Sequence, residues 1–150
     1  MARAPLQVLV FPFRRRADGR LEYAVFRRAD QGACWQGISG GAELGETAEQ
    51  AARREMAEEA QIPRDGALLP LDATASVPAA HFAARKTWGP DVYVVTERSF
   101  GIQVPHGHAI ALSDEHSECR WLPYEAATAL LTWDSNKTAL WELNERLRGR

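Results

Sequence analysis

The 150-residue chain carries a formal net charge of −2, with 45% hydrophobic and 25% charged side chains. A chain this long can bury roughly 68–70% of its unfolded surface around one core, so one domain over residues 1–150 is expected. No apolar run approaches the ~18–20 residues of a bilayer span, the near-neutral charge gives no electrostatic basis for broad nucleic-acid binding, and the composition is not that of a disordered chain.

Met1-Ala-Arg-Ala-Pro5 leads into strand-forming residues with no signal-peptide pattern. Residues 6–11 and 21–26 are rich in strand formers, and Ala17-Asp-Gly-Arg20 between them offers a glycine for positive φ, so they read as antiparallel neighbours. Residues 35–38 form a further short strand, ended by a glycine-rich turn at Gly40-Gly41 and Gly45. Thr47-Ala-Glu-Gln50 fits a capping box, and a helix follows over 48–60, stopped before Pro63. Residues 63–90 have weak periodicity and no assigned conformation. Strands are expected over 91–96, 108–112 and 119–122. Pro123 suits the first turn of a helix reaching Leu131, and Ser135 is the expected cap of a last helix with Ala139, Leu140, Leu143 and Leu147 on one stripe. The order is that of an α+β domain, an αβα sandwich on a central mixed sheet. Cys34 and Cys119 are too few for a disulfide framework and lack metal-ligand spacing, so a cytoplasmic address is expected.

Residues 39–62 concentrate six glutamates (43, 46, 49, 55, 58 and 59) against two arginines. Glu55, Glu58 and Glu59 are neighbours at helical spacing. A solvated acidic face would lie opposite the apolar stripe, yet Glu55 continues the row of Ala48, Ala51 and Ala52. Two carboxylates about 4 Å apart repel by about 4 kcal/mol at an effective dielectric near 20. Partial protonation, an arginine or a divalent cation can offset that, and oxygen ligands favour Mg²⁺, Mn²⁺ or Ca²⁺ over zinc.

Gly40, Glu46, Arg54, Glu55, Met56, Glu58, Glu59 and Ile62 together resemble the signature of the Nudix hydrolases, G-x5-E-x7-R-E-U-x-E-E-x-G-U with U bulky and apolar. Gln61 replaces the last glycine, which implies a changed helix exit more than lost chemistry. The resemblance implies a Nudix-like αβα sandwich and a metal-dependent pyrophosphohydrolase using Mg²⁺ or Mn²⁺. Glu55, Glu58 and Glu59 would be metal ligands, Arg54 would orient a glutamate, and Gly40 and Glu46 would support the loop. Glu115, six residues before Trp121, matches a further family glutamate that approaches the metals. Glu58, Glu59 and Glu115 all stay open as acceptors of the attacking water's proton.

Gly32-Ala-Cys-Trp-Gln-Gly-Ile-Ser39, the Glu115-His…Arg-Trp121 segment and Thr132-Trp-Asp-Ser-Asn-Lys137 extend the resemblance to one branch, the bacterial dihydroneopterin triphosphate pyrophosphatases of folate biosynthesis, which are similar to dATP pyrophosphohydrolases. That branch implies cleavage at the α–β linkage. A pterin or purine needs an aromatic wall and a few polar groups; Trp35, Trp133 and Asn136 are the candidates for these, and Arg27 and Arg28 for the phosphates. The alternatives are a dinucleoside polyphosphate hydrolase, a general dNTP-cleansing enzyme, or a non-catalytic nucleotide-sensing module. The expected partner is a small-molecule nucleotide or pterin triphosphate, with no nucleic acid and no membrane.

Overall fold

Strand β1 (Arg3–Arg15) alternates between two apolar faces, and the architecture follows from that alternation. Val8 and Val10 enter one core cluster, while Leu9, Phe11 and Phe13 enter another on the opposite side of the sheet. The structure is a computed structural model that describes residues 2–149. Besides β1 the sheet contains β2 (Leu21–Arg28), β3 (Trp35–Gln36), β4 (Ile38–Glu43), β5 (Leu68–Pro78), β6 (Val94–Gln103) and β7 (His116–Leu122). The seven strands run β3-β2-β1-β6-β5, with β4 also paired to β1 and β7 to β2. β1 and β6 are parallel and the other pairs antiparallel, so the sheet is mixed.

Helix α1 (Ala48–Ala60) covers the Val8 face through Ala51, Ala52, Met56 and Ala60. Helices α2 (Tyr124–Leu130) and α3 (Asp134–Leu147) cover the Leu9 face through Ala127, Ala139, Leu140 and Leu143. The layering is that of the α+β, αβα sandwich expected from the sequence. Among the described residues, no helix is long and apolar enough to cross a membrane.

α1 begins and ends where its chemistry places it. The Gln50 amide donates to Thr47 Oγ1 at 3.1 Å and the Thr47 amide to Gln50 Oε1 at 2.9 Å, closing the capping box. At the exit Gln61 adopts the left-handed conformation (φ 54°), the one a glycine takes freely. The exit geometry is therefore kept, contrary to the sequence expectation, at a backbone cost of about 1 kcal/mol.

Other expectations need correction. Gly40 and Gly41 lie inside β4, not in a turn; only Gly45 (φ +87°) makes the bend before α1. The strand over 35–38 is divided at Gly37, where a Cβ would crowd Leu9 and Phe11 across the sheet. The strand expected at 91–96 instead begins at Val94, in register with β1 from Leu6↔Thr96 to Phe13↔Gln103. Residues 108–112 form no strand. Trp133, not Ser135, is the N-cap residue of α3, with no side-chain cap.

Candidate active site

β4 and α1 meet at an arginine that gathers carboxylates. Arg54 Nε and Nη2 hold the two oxygens of Glu46 at 2.9 Å each, and Nη2 also donates to the Gly41 carbonyl at 2.9 Å. Nη1 lies 3.0 Å from Glu55 and 3.2 Å from Glu58. Glu46 further accepts the Glu43 amide at 2.7 Å, so the paired Arg54 fixes the turn and holds the Glu46 carboxyl below its usual range. A Cβ on Gly40 would fall on the Glu55 carboxylate, and one on Gly41 on the Arg3 guanidinium. These glycines are present for close approach by side chains from distant chain, one on each face of β4.

Farther along α1, Glu59 Oε2 accepts the Ser113 hydroxyl at 2.9 Å and lies 3.3 Å from His116 Nδ1, which forms no aligned hydrogen bond. The Ser113 amide donates to the Glu59 carbonyl at 3.3 Å, docking the loop before β7 on the helix. That loop brings Glu115 to the same cleft as Glu55. Burial pushes the Glu55 carboxyl up to about 7 despite Arg54, with the charges of Glu59 and Glu58 adding to the rise. Burial and then the Glu59 charge raise Glu115. Burial acts on Glu59 in the same direction, but the contacts from His116 and Ser113 outweigh it and hold Glu59 low.

The cleft has a volume of about 770 Å³, and its rim carries Arg3, Arg28 and Phe82 as well as the acidic groups. Arg3 packs over the Phe82 ring at 4.8 Å, donates to Gln7 at 2.6 Å and leaves a buried Nε without a partner. The Trp88 indole N–H donates to the Arg3 carbonyl at 2.7 Å and its ring tilts against Phe82 at 6.1 Å, so the 3-10 turns Ala79–His81 and Ala83–Thr87 close this side. Arg3 and Phe82 had no motif to reveal them in the sequence.

Of the candidates for ring and phosphate contacts, Arg28 lines the cleft, paired to Asp30 at 2.7 and 2.8 Å. Trp35 does not: it is buried among Leu9, Phe11 and Leu140, with the Arg120 guanidinium 4.8 Å over its ring. Arg27 is turned to the Gly32 carbonyl at 2.5 Å and lies 3.9 Å from Glu118, outside the lining. Asn136 is buried and accepts the Gly37 amide at 2.9 Å, tying α3 to the β3–β4 joint. Trp133 is half-exposed at the start of α3.

A NUDIX domain model matches residues 5–141. The chain belongs to the Nudix family. It is 34% identical over 138 residues to the dihydroneopterin triphosphate diphosphatase of Escherichia coli K12, covering 91% of this chain and 89% of that one. Among solved structures it matches a Listeria monocytogenes protein assigned as a NUDIX hydrolase (42% identity, TM-score 0.84, 97% and 95% of the two chains). It also matches the E. coli dihydroneopterin triphosphate pyrophosphohydrolase (30% identity, TM-score 0.77, 96% and 99%). The protein is thus a Nudix pyrophosphohydrolase, an enzyme acting on phosphoric anhydrides. Hydrolases of this family need a divalent metal, and a set of carboxylate oxygens raised by burial and mutual repulsion suits a hard cation. Among the described residues no three His, Cys, Asp or Glu side chains form a converged ligand group, and Arg54 engages Glu55 and Glu58.

Proposed function

We propose that the chain, as one Nudix domain, hydrolyses the α–β linkage of dihydroneopterin triphosphate or a dATP-like triphosphate to a monophosphate and pyrophosphate. The carrying observation is a single cleft in which Glu55 and Glu115 face Arg3 and Arg28. Glu55, Glu58, Glu59 and Glu115 are the residues to hold Mg²⁺ or Mn²⁺, which when bound neutralises phosphate charge and lowers the pKa of a coordinated water. Arg28 and Arg3 meet the phosphates. Arg54 orients Glu55 and Glu58, while Glu46 and Gly40 keep the strand–helix junction open for them. Among Glu58, Glu59 and Glu115 we favour Glu115 as proton acceptor, since it lines the cleft without an arginine bound to it. The unpaired Cys34 and Cys119 accord with a reducing cytoplasm.

Incubation with Mg²⁺ and a panel of dihydroneopterin triphosphate, dATP and diadenosine polyphosphates, followed by phosphorus NMR, tests this reading. Monophosphate and pyrophosphate from the first two are expected. Binding without cleavage across the panel supports the sensing module instead, and preferential cleavage of the diadenosine compounds overturns the substrate assignment.

A further inference from the structure

β4 pairs with β1 alone, and residues 39–43 along it line the cleft. Glu55 lies over Gly40 on the α1 side of this strand, whereas Ser39 and Gly41 turn to the opposite side, where Arg3 and Gln7 lie. There a chain of hydrogen bonds has a fixed direction. Arg3 Nη2 donates to Gln7 Oε1 at 2.6 Å, and Gln7 Nε2 donates to Ser39 Oγ at 2.9 Å. Gln7 also hydrogen-bonds the buried carboxyl of Glu97, beside it on β6, and so opposes the rise that burial causes there. Turning the Gln7 amide over would set its NH₂ against a guanidinium, which has no acceptor, and its oxygen against a carboxylate. Ser39 is therefore held as the acceptor toward Gln7, and its own proton is unspent: no described residue accepts it. The Ser39 side chain is half-buried and lines the cleft.

We propose that the Ser39 hydroxyl donates to a phosphate oxygen of the bound substrate, a contact on the side of β4 opposite the glutamates of α1. This rests on the triphosphate reading above and deepens it. Ser39 is one residue, about 3.8 Å of backbone, from Gly40 and the Glu55 carboxylate over it. A phosphate chain held at the α1 carboxylates therefore extends past it. The hydrogen-bond chain also begins at a cation, and each link polarises the next, which strengthens the last donor toward an anion. A ring carbonyl could take the same proton, but without the charge assistance that a phosphate oxygen supplies.

Ser39→Ala removes the donor at nearly constant backbone, and circular dichroism checks that the variant folds. Calorimetric titration with bismethylene triphosphate, a hydrolysis-resistant inorganic chain without a ring, in the presence of Mn²⁺ is the test. The variant is expected to bind it about tenfold or more weakly than the parent, the loss of one hydrogen bond to a charged group. Neopterin, which has the ring and no phosphate, should bind both proteins within about twofold by fluorescence titration. Equal affinity of parent and variant for the inorganic chain overturns the proposal, as does a parent that does not bind it. A loss confined to neopterin assigns the hydroxyl to the ring and overturns it too. None of these titrations needs turnover. If the parent cleaves none of the triphosphates, the proposed reaction fails while a tenfold difference still supports the Ser39 contact; if it cleaves them and the affinities are equal, only the contact fails. Should Ser39→Ala not fold, Ser39→Cys, of similar shape and with a weak donor, should bind the inorganic chain several-fold more weakly than the parent; unchanged affinity overturns the proposal.

Discussion

Helices α1 and α3 press on opposite faces of one sheet, and both bury polar side chains. On α3 these are neutral and matched: Asn136 accepts the Gly37 amide at 2.9 Å and Asn144 the Tyr23 hydroxyl at 2.6 Å. On α1 they are Glu55 and Glu59: the Glu59 charge adds to the burial that raises Glu55, which Arg54 only partly offsets, while His116 and Ser113 hold Glu59 low. A neutral matched pair stabilises the fold. A buried carboxyl left under-compensated, as Glu55 is, costs stability and is explained by what it binds.

The largest expected effect separates the two helices by function. Glu55→Gln and Glu59→Gln should each lower turnover by about 100-fold or more while circular dichroism shows an intact fold; steady-state rates within a few-fold of the parent would erase the distinction. Next comes pH. The folded-state carboxyl of Glu55 lies near 7 against an ordinary 4.5, because of burial. The folded state therefore holds that proton more tightly than the unfolded chain. Its contribution is full below about 4.5 and disappears as pH rises through about 7, a loss of at most about 3 kcal/mol. Urea melts in chelator at pH 5 and 8 should register a loss in that direction, and Glu55→Gln should flatten it. If the parent and variant have the same slope, Glu55 is not the source.

On the other face, Tyr23→Phe leaves the buried Asn144 oxygen without its donor and should cost about 1–2 kcal/mol in the same melts, with turnover changed less than about twofold if α3 only supports the fold. The smallest effect belongs to the helix exit. Gln61→Gly removes the left-handed strain but adds chain entropy to the unfolded state, so a gain below about 1 kcal/mol is expected, with activity unaltered; a loss of stability would mean that the Gln61 side chain contributes more than its backbone costs.

α1 was legible to the residue because its start and exit are local: Thr47 and Gln50 pair within one turn, and Pro63 follows closely. Gly40 and Gly41 looked like a turn because sequence records the missing side chain but not that Glu55 and Arg3 fill the space above it. Trp35 looked like a ring-stacking wall since a tryptophan in the core and one in a cleft have the same local signature. β5 was missed because Asp72-Ala-Thr-Ala-Ser76 alternates in burial with little contrast in hydrophobicity. β6 began late because its start comes from pairing with β5 (Pro78↔Val94), which leaves Tyr93 outside, 73% exposed. Arg3 and Phe82 join the cleft only through strand register and the 3-10 turns, which no single stretch of sequence contains.

The most direct test is a titration of Mn²⁺ into the protein, followed by electron paramagnetic resonance, for the parent and for Glu55→Gln and Glu59→Gln, each with and without a non-hydrolysable triphosphate. Binding by the parent that strengthens with the triphosphate, and falls at least tenfold in both variants, is the expected result. Equal Mn²⁺ affinity in all three proteins would contradict the assignment of the buried α1 carboxylates to metal-assisted hydrolysis.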